Sequence, residues 1–164
     1  MILYLNFDGV LHPDQVFYEE GCVPSLTAVG YSALEHAYIL ARILGDRRGV
    51  NIVLNTWWTF YIGVDACTEL LPSSLARRVS GSVLKCASSY STRPVRLHEA
   101  ERHIVACRDQ AYVVIDHSNA VYRRDVLGKL LLTNPQEGLS NHAAQRSLAR
   151  RIRMLERHPS PSLM

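Results

Sequence analysis

The sequence alternates between short segments that resemble buried strands and longer segments with helical spacing. The predicted strands cover residues 2–6, 50–55, 82–87, 111–116 and 129–133. The predicted helices, in which apolar residues recur three or four positions apart, cover residues 32–44, 64–79, 97–106 and 140–158. Strands that alternate with helices form parallel sheets with crossover helices. The predicted fold class is therefore α/β, a three-layer Rossmann-like sandwich with a mainly parallel central sheet.

The length of the chain, 164 residues, corresponds to one domain at roughly 150 residues per domain. We expect a single domain over residues 1–158 and a disordered tail over residues 159–164, where Pro159 and Pro161 follow the last helix. Hydrophobic residues make up 48% of the chain and charged residues 20%. This composition excludes an intrinsically disordered chain and a coiled coil.

We predict a cytoplasmic protein that has no membrane partner. No apolar run approaches the roughly 18 residues of a membrane span, and the apolar N-terminal stretch lacks the basic lead-in of a signal peptide. The four cysteines form no C-x-x-C pair, so reduced thiols are expected, with neither a zinc site nor a disulfide framework. The sequence leaves the oligomeric state open.

The net charge of +3 is concentrated near the C-terminal end. Residues 140–164 hold five arginines and one glutamate, and several of these arginines share one face of the predicted last helix. That basic face is either solvated surface or a contact for nucleic-acid phosphates. We favour solvated surface, which is common on amphipathic helices of this kind.

Polar side chains follow the predicted strands directly, at the edge of the sheet where ligands bind in such folds. They are Asn6, Asp8, Asn55, Thr56 and Asp116. Asn6 and Asp8 lie two positions apart just past a strand, and Gly9 allows a sharp turn there. With Asp116 they could supply the oxygen ligands that Mg²⁺ prefers. Taken alone, Asp8-Gly9 is also what an ordinary turn contains.

Four segments, in order along the chain, carry a family resemblance. Residues 6–13, with Asp8-Gly9-Val10-Leu11-His12-Pro13, are the most informative, and residues 52–58, 112–116 and 131–140 follow at sensible spacing. Together they resemble the haloacid-dehalogenase-like (HAD) phosphohydrolases, and among these the small capless domains associated with bacterial RNA-repair proteins. The resemblance extends from residue 2 to about residue 155. It implies a sheet order of 5-4-1-2-3 and no cap domain.

The resemblance implies a role for each residue of the first and fourth motifs. In this family one aspartate attacks phosphorus and forms an aspartyl-phosphate, and a second aspartate two residues later acts as acid and base. Asn6 therefore stands at the nucleophile position and Asp8 at the acid/base position. Asn6, the backbone carbonyl of Asp8 and Asp116 would hold Mg²⁺.

The resemblance also implies residues that hold the phosphoryl oxygens. Asn55 and Thr56 stand in the second motif, where the family supplies a hydroxyl. Arg93 and Arg96 are the candidates for the cation of the third motif, and Lys85 is a weaker one.

The chain departs from the family pattern at the residue that matters most. A neutral amide is a poor nucleophile, so Asn6 removes the attacking group and is expected to weaken Mg²⁺ binding. Asn55, His117 and Asn134 also stand where the resembling domains have hydroxyl or acidic residues. The sequence does not say whether Asn6 is natural or engineered, but several departures together are typical of a degenerate site.

Two functions follow from this pattern. The first is a HAD-like phosphohydrolase that is impaired or inactive as given. The alternative is a non-catalytic regulatory module that binds a phosphate or a nucleic-acid end. In either case the partner is a phosphorylated substrate or ligand. A short flap over residues 14–26 leaves the site open enough for a large one.

Two neighbouring aromatic residues and one histidine lie close to these motifs. Trp57 and Trp58 follow the second strand, and packing is a commoner role for such residues than stacking on a base. His12 is expected to order the loop after the first motif.

Overall fold

The computed structural model describes residues 1–157. The predicted tail, residues 159–164, lies outside the described residues. The strands are β1 (Ile2–Leu5), β2 (Val16–Phe17), β3 (Ser25–Leu26), β4 (Asn51–Leu54), β5 (Val79–Ser82), β6 (Tyr112–His117) and β7 (Leu130–Thr133). The helices are α1 (Ala37–Leu44), α2 (Trp58–Glu69), α3 (Ser73–Ala76), α4 (Arg96–Ala106), α5 (Arg124–Leu127) and α6 (His142–Arg157).

Five strands form one parallel sheet in the order β5-β4-β1-β6-β7. The first strand lies at its centre, where Leu5 pairs with Leu54 on one side and with Ile115 on the other. All four residues of β1 are apolar and buried, as in strands covered on both faces. If only the sheet strands are numbered along the chain, the order read from β7 is 5-4-1-2-3, which confirms the prediction.

Helices cover both faces of this sheet, so the predicted three-layer arrangement is confirmed. Leu3 and Leu5 of β1 pack in one buried cluster with Ile152 of α6. Tyr4, which points to the opposite face, belongs to a second cluster with Ile104 of α4. This alternation along β1 is the two-residue period of a strand.

The chain between the first and second motifs forms an antiparallel hairpin, β2 with β3, and then α1. Within residues 1–157 no cap domain is present, as the resemblance implied. The hairpin lies in the segment that we call the flap, residues 14–26. The backbone N–H of Asp14 donates to Pro135 at 2.9 Å, and that of Thr27 donates to Gln15 at 2.8 Å. Both ends of the flap are thus tied down, while its tip is exposed.

The helix predicted over residues 64–79 is wrong at both ends. It begins six residues earlier, at Trp58, and the hydroxyl of Thr56 accepts the backbone N–H of Trp58 at 3.4 Å just ahead of the first turn. Gly63 kinks it with a φ of 82°, and residues 73–76 form a separate short helix. The aromatic residues of the first turn carry little helical periodicity, so the pattern pointed to a later start.

The other shifts are at element ends. The strand predicted over residues 82–87 lies at 79–82, where Val-Ser-Gly-Ser carries almost no apolar signal. The apolar pair Val83-Leu84 is buried just beyond it. Residues 33–36 form turns ahead of α1, and the short helix α5 was not predicted.

No helix within residues 1–157 is long and apolar enough to cross a membrane. All four cysteines are free: Cys67 is buried, Cys107 is partly buried, and Cys22 and Cys86 are exposed.

Candidate active site

The polar residues predicted from the strand ends meet at the carboxyl edge of the sheet. Asn6 follows β1 directly, Asn55 follows β4, and Asp116 lies near the end of β6. All three are buried, with exposed fractions of 2%, 0% and 0%. Parallel strands in register place these side chains side by side, which is why three distant positions in the sequence form one polar cluster.

The side-chain amide of Asn6 is fixed in one orientation. Its Oδ1 accepts the backbone N–H of Phe7 at 2.8 Å. Its Nδ2 donates to the backbone carbonyl of Asp8 at 3.0 Å and to Oδ1 of Asp116 at 2.7 Å. Reversal of the amide would oppose donors to donors and acceptors to acceptors, so the contacts define which end is nitrogen.

The carboxylate of Asp116 is satisfied at both oxygens. Its Oδ1 accepts Asn6 and also the backbone N–H of His117 at 2.9 Å. Its Oδ2 accepts the guanidinium of Arg96 and the hydroxyl of Tyr122, each at 2.8 Å. Burial is the largest single effect on the pKa of Arg96 and would lower it, but the charge and hydrogen bond of Asp116, together with Tyr122 and Asp8, outweigh burial and hold that pKa above its ordinary value.

The second motif is tied into the same cluster. Arg96 donates to the backbone carbonyl of Asn55 at 2.8 Å and to its side-chain oxygen at 3.0 Å. The amide nitrogen of Asn55 donates to the hydroxyl of Tyr122 at 2.7 Å. Burial, and then the charge of Asp116, raise the pKa of Tyr122 well above its ordinary range. Thr56 is buried beside this cluster, and its hydroxyl accepts the backbone N–H of Trp58 at 3.4 Å.

The carboxylate of Asp8 is held by donors of another kind. Its Oδ1 accepts the indole N–H of Trp58 at 2.9 Å and lies 3.1 Å from Nε2 of His12. Since Nδ1 of His12 accepts the backbone N–H of Leu34 at 3.0 Å, the ring proton is on Nε2. The hydroxyl of Tyr18 donates to Oδ2. Burial, and then the charge of Asp8, raise the pKa of Tyr18 well above its ordinary range.

Two glycines let the loops approach closely around this edge. Gly9 has a φ of 68°, and a Cβ built there would lie 2.5 Å from Cβ of His117. Gly138 has a φ of 52°, and its Cβ would lie 2.4 Å from the carbonyl oxygen of Val10. Any larger residue at either position would push the first motif away from β6 or β7.

Comparison with known proteins decides the family. A family model described as the HAD domain in Swiss Army Knife RNA repair proteins matches residues 2–144. The chain belongs to this HAD family. No curated protein matches the chain, and no solved structure does either.

HAD domains typically use Mg²⁺, but the residues of this HAD domain do not fit the ion as they are arranged. Among the three expected ligands, Asn6 directs N–H donors at the other two, Asp116 and the carbonyl of Asp8. This orientation differs from the expected role of Asn6 as a weak ligand, because a metal requires lone pairs. Within residues 1–157 no group of three or more His, Cys, Asp or Glu side chains could hold a metal.

The two arginine candidates of the third motif lie in different places. Arg96 lies in the buried cluster, as described above. Arg93 is exposed, and its guanidinium lies 4.4 Å from the ring centre of Trp57. The weaker candidate, Lys85, is exposed as well. Of these three candidates, one is therefore internal and two are exposed at the surface.

Arg93 borders a row of aromatic rings that we call the aromatic strip. Its members, each in ring contact with the next or with Phe60, are Tyr18, Tyr61, Phe60, Trp57 and Tyr90. A groove of about 320 Å³ follows the strip and is lined by Glu20, Gly21, Phe60, Tyr61, Ala87 and Arg93. Because Tyr18 also contacts Asp8, the strip connects the candidate active site with the groove.

Several residues of the HAD site were not predicted from the sequence. Tyr122 and Tyr18 donate to the two carboxylates, and neither stands in a motif. Trp58 was predicted to pack, and it is buried, but its indole N–H also binds Asp8. His117 contributes its backbone N–H to the cluster. Asn134 forms a turn, where its side chain accepts the backbone N–H of Gln136 at 2.8 Å.

Proposed function

We propose that this HAD domain binds a phosphorylated nucleic-acid end without hydrolysing it. The observation that carries the proposal is the amide at the nucleophile position. Oδ1 of Asn6 is uncharged and accepts the backbone N–H of Phe7 at 2.8 Å. It lacks the negative charge that an attacking carboxylate brings to phosphorus. Under this proposal the chain is impaired or inactive in Mg²⁺-dependent phosphomonoester hydrolysis.

The acid/base position is intact, but it has no nucleophile to serve. Asp8 keeps its carboxylate, and the hydroxyl of Tyr18 lies on it from the flap. Proton transfer by Asp8 to a leaving group would matter only if another group attacked phosphorus. The retained carboxylate is therefore consistent with a domain that keeps the geometry of the site but does not catalyse hydrolysis.

Cations near the surface support binding of a phosphate. Arg93 and Lys85 are exposed, and neither forms an ion pair with another residue in the described part of the chain. Arg96, by contrast, is already neutralised by Asp116. We propose Arg93 as the principal phosphate contact, with Thr56 and Asn55 shaping the inner wall.

The aromatic strip supports a nucleic-acid end as the ligand. Bases stack on aromatic side chains regardless of sequence, and an arginine beside them contacts the backbone. The strip begins at Tyr18, next to Asp8, and reaches Arg93. A terminal phosphate held by Arg93 would thus be accompanied by one or two bases stacked on the strip. The family description, which concerns RNA repair proteins, agrees with this ligand class.

The first experiment separates binding from hydrolysis. Phosphate release from a generic aryl phosphate and from a phosphorylated oligoribonucleotide is measured for the chain and for Asn6→Asp, with and without Mg²⁺. Binding of the same oligoribonucleotide, with and without its terminal phosphate, is followed by fluorescence anisotropy. We expect the chain to bind the phosphorylated form more tightly and to release no phosphate. Release of phosphate by the chain at a rate near that of Asn6→Asp would contradict the proposal, because another group would then be attacking.

The exposed arginines offer a matched control for the binding site. Arg93→Gln is expected to weaken binding of the phosphorylated oligoribonucleotide about tenfold, the typical loss of one charge-assisted contact. Arg124→Gln removes an exposed arginine from α5, which contributes no ring to the aromatic strip, and is expected to leave binding unchanged. Equal losses in the two variants would show that only overall charge matters.

We also propose a cytoplasmic location. None of the four cysteines is in a disulfide, which is the usual state of thiols in a reducing compartment. Burial raises the pKa of the Cys67 thiol to about 12, so this thiol is protonated and unreactive at neutral pH.

A further inference from the structure

We infer that Asn6 and Arg96 take the place of the divalent cation in this HAD domain, so that its site is complete without metal. The inference goes beyond the proposed function, because it concerns what holds the site together, whichever ligand binds. The family resemblance assigns two acceptors to the ion. These acceptors, the carbonyl of Asp8 and Oδ1 of Asp116, are bridged by Nδ2 of Asn6 at 3.0 and 2.7 Å.

The backbone N–H of Phe7 fixes the orientation of the Asn6 amide that forms this bridge. Mg²⁺ requires oxygen lone pairs at about 2.0–2.1 Å in near-octahedral order. To offer one, the amide of Asn6 would have to turn over, and its nitrogen would then face the N–H of Phe7, which now donates to Oδ1 at 2.8 Å. Two donors would oppose each other in a buried place, so the amide stays as a donor.

The other side of Asp116 is occupied by a permanent cation. Arg96 contacts Oδ2 at 2.8 Å, and the side chains of the pair are 7% and 0% exposed. The hydroxyl of Tyr122 and the backbone N–H of His117 donate the remaining hydrogen bonds to the carboxylate of Asp116. No lone pair of Asp116 directed into the cluster is left for a metal, and its charge is already neutralised.

The local charge balance points the same way. Asp8, Asp116 and Arg96 together carry one net negative charge. An aspartate at position 6 would add a second one within hydrogen-bond distance of Asp116, and the repulsion would have to be relieved by a divalent cation or by a shared proton. Asn6 removes one negative charge and supplies two N–H donors at the same place. Its hydrogen bonds therefore hold the carbonyl of Asp8 and the carboxylate of Asp116 together, as the charge of the ion would.

Thermal unfolding tests this inference without any assay of activity. The chain and Asn6→Asp are unfolded in EDTA and in millimolar MgCl₂ at matched ionic strength. We expect the Tm of the chain to move by less than about 1 °C. In EDTA, Asn6→Asp is expected to unfold about 6–12 °C lower, as after loss of a partner in a buried charged pair. Mg²⁺ should restore at least half of that loss.

Two control variants identify the cause of any shift. Asn6→Ala removes the bridge without adding a ligand, so its Tm should fall and should not respond to Mg²⁺. Asn119→Asp adds the same charge on an exposed loop at this edge, and neither its Tm nor its response to Mg²⁺ should change. A similar Mg²⁺ response in Asn6→Ala would contradict a ligand role for the introduced carboxylate.

The inference is overturned if Mg²⁺ raises the Tm of the chain saturably by several degrees, or if Asn6→Asp gains no response to Mg²⁺. Should Asn6→Asp fail to fold, the chain alone decides. Its Asn6 side-chain amide signals in a ¹⁵N NMR spectrum should not move on addition of Mg²⁺, and calorimetric titration with MgCl₂ should show no binding. A metal-free site with no affinity for the oligoribonucleotide would leave this inference standing and would contradict only the proposed function.

Discussion

Two buried carboxylates lie at the same edge of the sheet, and they are stabilised in different ways. Asp116 is completely buried and contacts a guanidinium, an amide, a phenol and a backbone N–H. The side chain of Asp8 is 11% exposed and contacts an indole, an imidazole and a phenol. Only Asp116 has a cation beside it. The comparison shows that full burial of charge goes with a permanent counter-charge, whereas partial burial needs only neutral donors.

The donors also differ in what carries them. Arg96 begins α4 and Asn6 follows the central strand, so two of the donors to Asp116 are carried by the helices and strands of the main fold. Tyr18 comes from the flap, whose tip is exposed. Asp8 is thus partly covered by a surface segment and its side chain stays 11% exposed, whereas Asp116 is completely enclosed. We interpret Asp116 as a structural remnant of the HAD site and Asp8 as the part that still faces a ligand.

Removal of the internal cation is the strongest way to test this difference. Arg96→Met is expected to lower the free energy of unfolding by about 3–5 kcal/mol, because Asp116 is left buried without its counter-charge. Urea unfolding measures the loss, with Arg124→Gln, an exposed substitution, as the control that stays within about 0.5 kcal/mol. In the double variant Arg96→Met with Asp116→Asn, part of the loss should return. A loss no larger than that of the control would mean that Asp116 does not need Arg96.

The two phenols provide a matched pair. Tyr122→Phe is expected to cost about 2–3 kcal/mol, because a hydrogen bond to a charged group is lost and the amide of Asn55 loses its acceptor. Tyr18→Phe is expected to cost less than about 1 kcal/mol, since the Asp8 side chain is already partly exposed to water. Urea unfolding of both variants gives the comparison. Equal costs would show that Asp8 is held as firmly as Asp116.

Alkaline pH should reduce the difference in the free energy of unfolding between the chain and its Tyr122→Phe variant. The pKa of Tyr122 in the folded chain is raised, first by burial and then by Asp116, so its stabilising contribution is complete below the unfolded pKa of about 10. That contribution is lost as the pH rises above this value, because only the unfolded chain releases the proton. The stability difference between the chain and Tyr122→Phe should therefore shrink in unfolding experiments above about pH 10. A difference that grew with pH would contradict the assigned hydrogen bond.

Much of this arrangement could be predicted from the sequence, and the rest depended on loops. The alternation of strands and helices predicted the parallel sheet, and the abrupt ends of the strands at Asn6, Asn55 and Asp116 predicted the polar cluster. The strand order was implied by the family resemblance. Arg96 was one of two arginine candidates, because the spacing in the sequence did not show whether Arg93 or Arg96 would point into the site. Tyr18 reaches the site from the flap, and its position follows from no local pattern.

The orientation of the Asn6 amide was also beyond the sequence. A side-chain amide offers a donor and an acceptor, and the choice depends on what surrounds it. Here the surroundings are the N–H of Phe7 on one side and two acceptors on the other. The expected weak metal ligand is therefore found as a hydrogen-bond donor.

A high-resolution crystal structure of the chain grown in millimolar MgCl₂ tests the central claim most directly. The account predicts no ion between Asp8 and Asp116, and an Asn6 nitrogen within hydrogen-bond distance of both. An octahedral ion bound at about 2.0–2.1 Å by the side-chain oxygen of Asn6 would contradict it.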